Sequence, residues 1–556
     1  MEPDSPSVPS RRSFLGLTGL GLGALAIPSL LSACAPQPSG GGSSGSGNNG
    51  SGGGSSKASD AEIDSLTIAL PSSISSLDVG REAGILNYMV AVLAQESLLS
   101  VSPSGELQPG LAASWRQSDS LTYVYELRSG VTFTDGTALT ADDVVASIEW
   151  IMDPAHASQL SYAYAGVASV KATGPSEVTI RLKDADAAFS WVPTVGTLMV
   201  TSRAYLDAHK SGDIGTATSL LLGTGPYRIT EFAADDHVTL VRNDAWWGGK
   251  SHVKTLKLSF IPDAGTRLVA MQSGSIDGAL DLGSDEAKGW ESAADVSYVS
   301  DRSVVSLAFD TSKAPWNDLH VRKAVAHAAD RSGMVSGLLR GEGAVAAALP
   351  SPDMWANLMT PAQVDAGYAA IPAFGFDLKA AAAELAQSAA PHGFTADLHY
   401  PASGPQLGQA ALALAASLAK INITLNVKEV TLEAWIAELG SGSHPLQFLW
   451  YYPTTGDPSE LTNPYLEGSA IAGGTNIAHY DNAAVNASLA RATADTDTAT
   501  RGRELMAALQ ASGADLPYLP LWWARTASAF SDKLVVTETG PYAYIGPWAT
   551  RLRAAA

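Results

Sequence analysis

The sequence predicts an α/β protein with more than one sheet, and three observations predict it. Short apolar runs end at Pro or Gly, as buried strands do. Capped apolar stripes of helical period alternate with them. Hairpin-like pairs interrupt the alternation, which a single parallel sheet would not need.

Taken in order, Leu66 to Leu70 reads as a first buried strand, stopped by Pro71. Leu121 to Arg128 and Val131 to Phe133 alternate around Ser129-Gly130, which predicts that these two runs pair antiparallel. Thr140 reads as an N-cap with Asp143 as its capping-box partner. Val144, Val145, Ile148 and Ile151 form the apolar stripe of that helix, which stops at Asp153-Pro154. Asp318 caps a helix carrying Val321, Ala324, Val325 and Ala328. An alanine-rich helix from Gln406 to Lys420 feeds an alternating strand at Ile423 to Val427, and Thr431 to Leu439 returns as a helix.

The chain of 556 residues is 46% hydrophobic and 16% charged, which makes most of it globular with material for two or three domains. Its formal net charge of −21 argues against nucleic acid as a partner, since phosphate binding needs clustered Lys and Arg. The single cysteine, Cys34, excludes an intrachain disulfide and a multi-thiolate zinc site.

Cys34 has a specific setting. Arg11-Arg12 precede a modestly apolar run from Phe14 to Leu31, which ends in Leu31-Ser32-Ala33-Cys34. This describes a signal peptide over residues 1–33, shorter and less apolar than a membrane span. The paired arginines resemble a twin-arginine export signal, with Gly16 where a lysine often stands. Leu31 to Cys34 resembles a bacterial lipobox, which implies acylation of Cys34 and anchoring at the outer face of the cytoplasmic membrane, in a periplasmic or cell-wall space. Residues 34–59 then form a Gly/Ser-rich linker with the composition of a flexible coil. Gly41-Gly42-Ser43-Ser44-Gly45 matches a nucleophile pattern, and Gly19, Gly21 and Gly23 a dinucleotide pattern. Neither lies between a strand and a helix, so neither carries function.

Three groups of motifs identify a family. The first is Pro109 to Trp115, Tyr125 to Val131, Phe133-Thr134-Asp135-Gly136 and Thr140 to Val144. The second is Gly223-Thr224-Gly225-Pro226-Tyr227, Arg242-Asn243, Trp246 to Lys250 and Gly274 to Asp277. The third is Pro315-Trp316-Asn317-Asp318, Val321 to Val325 and Asp330-Arg331. In order and spacing they resemble the family 5 extracellular solute-binding proteins of bacterial ABC importers, the oligopeptide, dipeptide and nickel type. Read physically, their glycines supply turns with positive φ, and Trp115 and Trp246 fill core.

The resemblance implies a two-lobed, type II periplasmic-binding-protein-like α/β fold with an inserted subdomain and a two-crossing hinge. Lobe I would span 60–305, including the insert at about 106–222. Lobe II would span 306–521, and 522–556 would return to lobe I. The crossings would lie near 302–307 and 522–527.

Ligand-binding candidates follow from the resemblance and from strand alternation. In peptide-binding relatives the loop matching Trp450 to Pro458 presents an aromatic residue and, three positions later, an aspartate for the peptide α-ammonium. Aligned on Asp457-Pro458, these positions are Tyr451 and Thr454, and Thr454 has no charge to offer an ammonium. Asp457 is the nearby carboxylate. Trp450 and Tyr452 flank Tyr451, and Trp522-Trp523 stand at the second crossing; adjacent strand residues face opposite sides, so at most one tryptophan faces a cleft. Tyr88 and Trp435 complete the set. The ten histidines form no H-x-x-x-H or H-E-x-x-H pair, so no metal and no cofactor is expected.

The function expected is capture of a peptide, peptide-like or other polar organic solute, without chemistry, and delivery to ABC permease subunits by a monomeric, lipid-anchored protein. The alternatives are a lipid-anchored secreted hydrolase and a ligand sensor on the same fold.

Overall fold

The computed structural model describes residues 57–556 apart from Gly440. The twin-arginine motif, the lipobox with Cys34 and nearly all of the linker lie outside the described residues.

Nine strands form the largest sheet: β1 (Ile63–Leu70), β2 (Tyr227–Ala233), β3 (His237–Arg242), β4 (Val253–Phe260), β5 (Gly278–Leu282), β6 (Asp295–Phe309), β7 (Gly343–Val345), β8 (Leu446–Tyr451) and β9 (Tyr518–Phe530). Their spatial order is β8-β6-β9-β5-β1-β4-β3-β2, with β7 added against β9. β1 runs parallel to β4 and β5, while the other pairings are antiparallel. Leu66, Ile68 and Leu70 of β1 enter one core and Ala69 another, as a period of two dictates for a strand covered on both faces.

β6 and β9 are the long strands, and they join two regions with separate cores. Their outer halves, Asp295 to Ser300 against Arg525 to Phe530, belong to the region of β1–β5. Their other halves, Val304 to Ala308 against Tyr518 to Trp523, are covered on both faces. Val305, Leu307 and Phe309 enter one core and Val304 and Ala308 the other. The register shifts between Ser300 and Val304, so the segment between the halves is a bulge, with Arg302 at φ 64°.

A separate four-stranded sheet, Ala112–Asp119, Thr122–Leu127, Glu177–Leu182 and Val167–Ala172, carries the helix α1 (Ala141–Met152). The capping box of α1 is present: Thr140 N and Oγ1 donate to Asp143 Oδ2 at 2.8 and 2.7 Å. The helices α2 (Leu319–Ala328), α3 (Pro405–Leu418) and α4 (Leu432–Glu438) lie where their stripes predict, capped by Asp318, Gly404 and Thr431. One expectation fails. Val131 to Phe133 does not pair with Thr122–Leu127, whose two edges are already taken by Ala112–Asp119 and Glu177–Leu182. It closes on itself instead, through a Thr132–Ala138 bridge around Gly136 at φ 90°.

The second motif group proves to be a half-buried polar knot. Trp246 Nε1 donates to Glu96 Oε1 at 3.1 Å, while Trp247 Nε1 and Thr224 Oγ1 donate to Oε2 at 2.9 and 2.7 Å. Burial pushes the Glu96 carboxyl up to about 7 despite these donors. Gly223 and Gly225 lack the positive φ expected of them. They are required by close approach, because a Cβ would lie 2.2 Å from Ala94 O and 2.7 Å from Ala94 C respectively.

Candidate functional site

A cavity of about 690 Å³ opens beside the bulges of β5, β6 and β9, walled by both regions. The first region contributes Tyr88, Gly196, Asp281 and Tyr544, and the second contributes Arg340, Gln406, Trp450, Tyr452 and Thr454. Asp301 to Ser303 and Trp522 to Thr526, apart from Trp523, line it from the long strands themselves.

The aromatic wall follows strand chemistry. The register slips between Val305–Trp522 and Ser306–Pro520, which leaves Leu521 as the extra residue of a bulge. Trp522 therefore shares a core with Leu519 and Leu521 and touches the cavity. Trp523 points to the opposite face, where Nε1 donates to Leu349 O at 3.3 Å and the ring stacks on Tyr368. Trp450 and Tyr452 line the cavity with ring centroids 5.7 Å apart. Tyr88 lines it too and donates through Oη to Gly196 O at 2.8 Å.

Four candidates are placed elsewhere by packing. Tyr451 faces the other side of β8, and its Oη donates to Glu460 at 3.1 Å. Trp435 is buried in the core beneath α4. Trp523 is excluded by alternation. Asp457 is consumed by Arg501 in a bidentate ion pair of 2.5 and 2.7 Å, both side chains at most 4% exposed. Although burial alone would raise it, the Arg501 charge and hydrogen bonds hold the Asp457 carboxyl below its ordinary range. Thr454 does line the cavity, but its N and Oγ1 both donate to Glu460 Oε1, at 2.8 and 2.9 Å. Thr455 N donates to Glu460 Oε2 at 2.7 Å, so one carboxylate fixes the whole loop.

The charged residues of the cavity were not foreseen. Asp281, Asp301, Arg302, Arg340 and Arg525 all line it. Asp281 (φ 56°), Arg302 (φ 64°) and Arg340 (φ 52°) adopt left-handed backbone that L side chains rarely take, so conformational strain collects at this wall. The register of β5 slips between Ala279 and Leu282, and that irregularity carries Asp281. Asp281 accepts a hydrogen bond from Thr526 Oγ1 at 3.2 Å, and Asp301 accepts one from its neighbour Ser303 N at 2.8 Å. No Lys or Arg forms an ion pair with either carboxylate among the described residues. Burial raises both, Asp301 to about 6, and the charge of Asp281 adds to the shift of Asp301. Desolvation within the cavity, followed by the charges of Asp301 and Asp281, likewise raises the hydroxyl of Tyr452, although 53% of that residue remains exposed. The cavity thus holds an anionic corner faced by an aromatic ring.

Positive character in the cavity comes from Arg302, Arg340 and Arg525 and from the N-terminus of α3, where Pro405, Gln406 and Gln409 reach the wall. The first turn of a helix presents free N–H groups and partial positive charge.

The description "Bacterial extracellular solute-binding proteins, family 5 Middle" matches residues 106–473. The chain belongs to this family. It is an extracytoplasmic solute-binding protein of the ABC-importer type, with the two-lobed, type II α/β fold. Among curated proteins it is similar to a heme-binding protein A of Haemophilus influenzae, 26% identical over 79% of this chain and 83% of the relative. It is also similar to the nickel-binding periplasmic protein of Escherichia coli K12, 28% identical over 54% of this chain and 59% of that one. Among solved structures it resembles a periplasmic binding protein of Helicobacter pylori in complex with the peptide STSA, with a TM-score of 0.73, 22% identity and coverage of 89% and 99%. A second, HbpA2 of Haemophilus parasuis, has a TM-score of 0.78, 20% identity and coverage of 89% and 100%.

Proposed function

We propose that this family 5 protein captures a peptide or peptide-like solute carrying a cationic group, closes its lobes on it without chemistry, and presents the closed form to ABC permease subunits. The observation that carries the reading is the cavity between the two regions, whose carboxylates at Asp281 and Asp301 form no ion pair among the described residues. A buried carboxylate without a partner is costly, and a ligand ammonium or guanidinium relieves that cost. The α3 N-terminus and Arg340 supply the complementary end for a carboxylate, as in an amphoteric solute. A volume of about 690 Å³ suits a small organic ligand rather than a folded partner. Similarity to the peptide-bound H. pylori protein and to the dipeptide-binding protein of E. coli K12 supports the solute class.

The lobes would divide at 60–305 and 306–521, with 522–556 returning and the crossings at about 302–307 and 522–527 acting as the hinge. The bulge at Asp301 to Ser303 gives that hinge its soft point. Lipid attachment at Cys34 would keep the receptor at the outer membrane face within reach of its permease.

Native mass spectrometry of the purified protein, followed by thermal melts against a ligand panel, tests the reading. A ligand at a hundred times its Kd raises stability by about 2.7 kcal/mol. Recovery of that ligand unchanged supports capture, and its conversion would establish the hydrolase reading instead.

A further inference from the structure

Away from the solute cavity, three side chains from three separate elements converge. His399 lies on the strand Thr395–Pro401, Glu438 on the last turn of α4, and His444 just before β8. His399 Nδ1 is 2.9 Å from Glu438 Oε2, and His444 Nε2 is 3.7 Å from Glu438 Oε1. The imidazole centroids are 4.2 Å apart, and the potential ligand atoms all lie within 4.8 Å of one another. The side chains are 12%, 25% and 23% exposed, so solvent reaches the cluster. None of the three lines the cavity.

We propose that His399, Glu438 and His444 bind one divalent first-row transition metal ion, of which Zn²⁺ is the best chemical fit. Two ligand atoms about 2.1 Å from one tetrahedral ion are about 3.4 Å apart, and the observed separations bracket that value. A hydrogen-bonded His–Glu pair accounts for one imidazole. It leaves the second aimed at the same carboxylate from beyond hydrogen-bond distance. A metal ion between them accounts for both rings, with the fourth position open to water. The Gln447 side chain braces this arrangement: Nε2 donates to His444 O at 2.7 Å and to Glu438 O at 3.3 Å. The spacing of 39 and then 6 residues matches no sequence motif, so only the fold reveals the set.

The test uses the full protein without a polyhistidine tag, carrying Cys34→Ser to remove its one thiol, stripped with EDTA and titrated with Zn²⁺ against a chromophoric chelator. One equivalent should bind with Kd on the order of 1 µM or tighter. His399→Ala and His444→Ala should each weaken binding by at least about tenfold, as should Glu438→Gln. His209→Ala, in a separate His–Asp pair, should leave it unchanged. Co²⁺ should give the intense visible bands of low coordination, absent from the variants, and binding should weaken on acidification because imidazole must be neutral to ligate. Metal-free melting of each variant separates lost binding from lost folding, with His399→Gln as the gentler replacement. Absence of saturable binding, or binding that none of the three variants moves, overturns the site. Solute capture should persist in all three, so failure here is distinguishable from failure of the proposed function.

Discussion

Two aspartates, one buried and one lining the cavity, have opposite fates. Asp457 follows the loop after β8 and is neutralised by Arg501 in a closed bidentate pair. Asp301 lies in the bulge of β6, accepts a hydrogen bond from its own turn and forms no ion pair among the described residues. The protein's own packing lowers the first carboxyl and raises the second, to about 6. A satisfied charge serves the fold, and an unsatisfied one facing a cavity serves a ligand. The contrast also explains Thr454, whose hydroxyl is spent on Glu460 and is not the charge-bearing position.

The largest effect should come from breaking the satisfied pair. Arg501→Ala strands the buried Asp457 charge and should cost about 3–5 kcal/mol. Urea melts check it, and Asp457→Asn combined with Arg501→Ala should recover part of the loss. If Arg501→Ala were neutral, the pair would not be the brace described here.

Asp301→Asn should act in the opposite direction. It removes a carboxylate whose ionised form the fold disfavours, so the ligand-free protein should gain on the order of 1–3 kcal/mol at pH 8. The sign follows from the raised value: the favourable contribution is complete below about pH 4 and lost as pH rises through about 6. Glu96, raised to about 7, acts in the same direction. The melting temperature of the empty protein should therefore fall between pH 5 and pH 8, and less steeply in Asp301→Asn. A gain in stability coupled to a loss of ligand binding marks a functional site held against the interest of the fold.

A smaller effect concerns closure. A Cβ on Gly196 would lie 2.9 Å from Thr454 O, where the two regions touch beside the cavity. Gly196→Ala should leave stability within about 1 kcal/mol and weaken solute affinity several-fold by holding the regions apart. Calorimetric titration reads both.

Much of the fold was legible because its signals are local. The Thr140–Asp143 capping box, the Asp318 and Thr431 caps and the apolar run of β1 all appear where residue chemistry dictates. Alternation separated Trp522 from Trp523 and Trp450 from Tyr451. The charged half of the cavity was not legible. Asp281 and Asp301 reach it because β5 and β6 lose register, and a bulge has no signature in one sequence. Asp457 misled for a related reason: its partner Arg501 is 44 residues away and only the fold joins them. His399, Glu438 and His444 were invisible on the same ground.

The central claim is that a ligand cation is held at the strand bulges and not at position 454. Isothermal titration at pH 7.5 of di- to tetrapeptides, each with its N-acetylated counterpart, tests it on the wild type, Asp301→Asn and Thr454→Ala. The wild type and Thr454→Ala should prefer the free amine by at least about tenfold, roughly 1.4 kcal/mol, and Asp301→Asn should lose that preference. A preference that survives Asp301→Asn and disappears in Thr454→Ala, or binding of no free-amine peptide at all, would contradict the account.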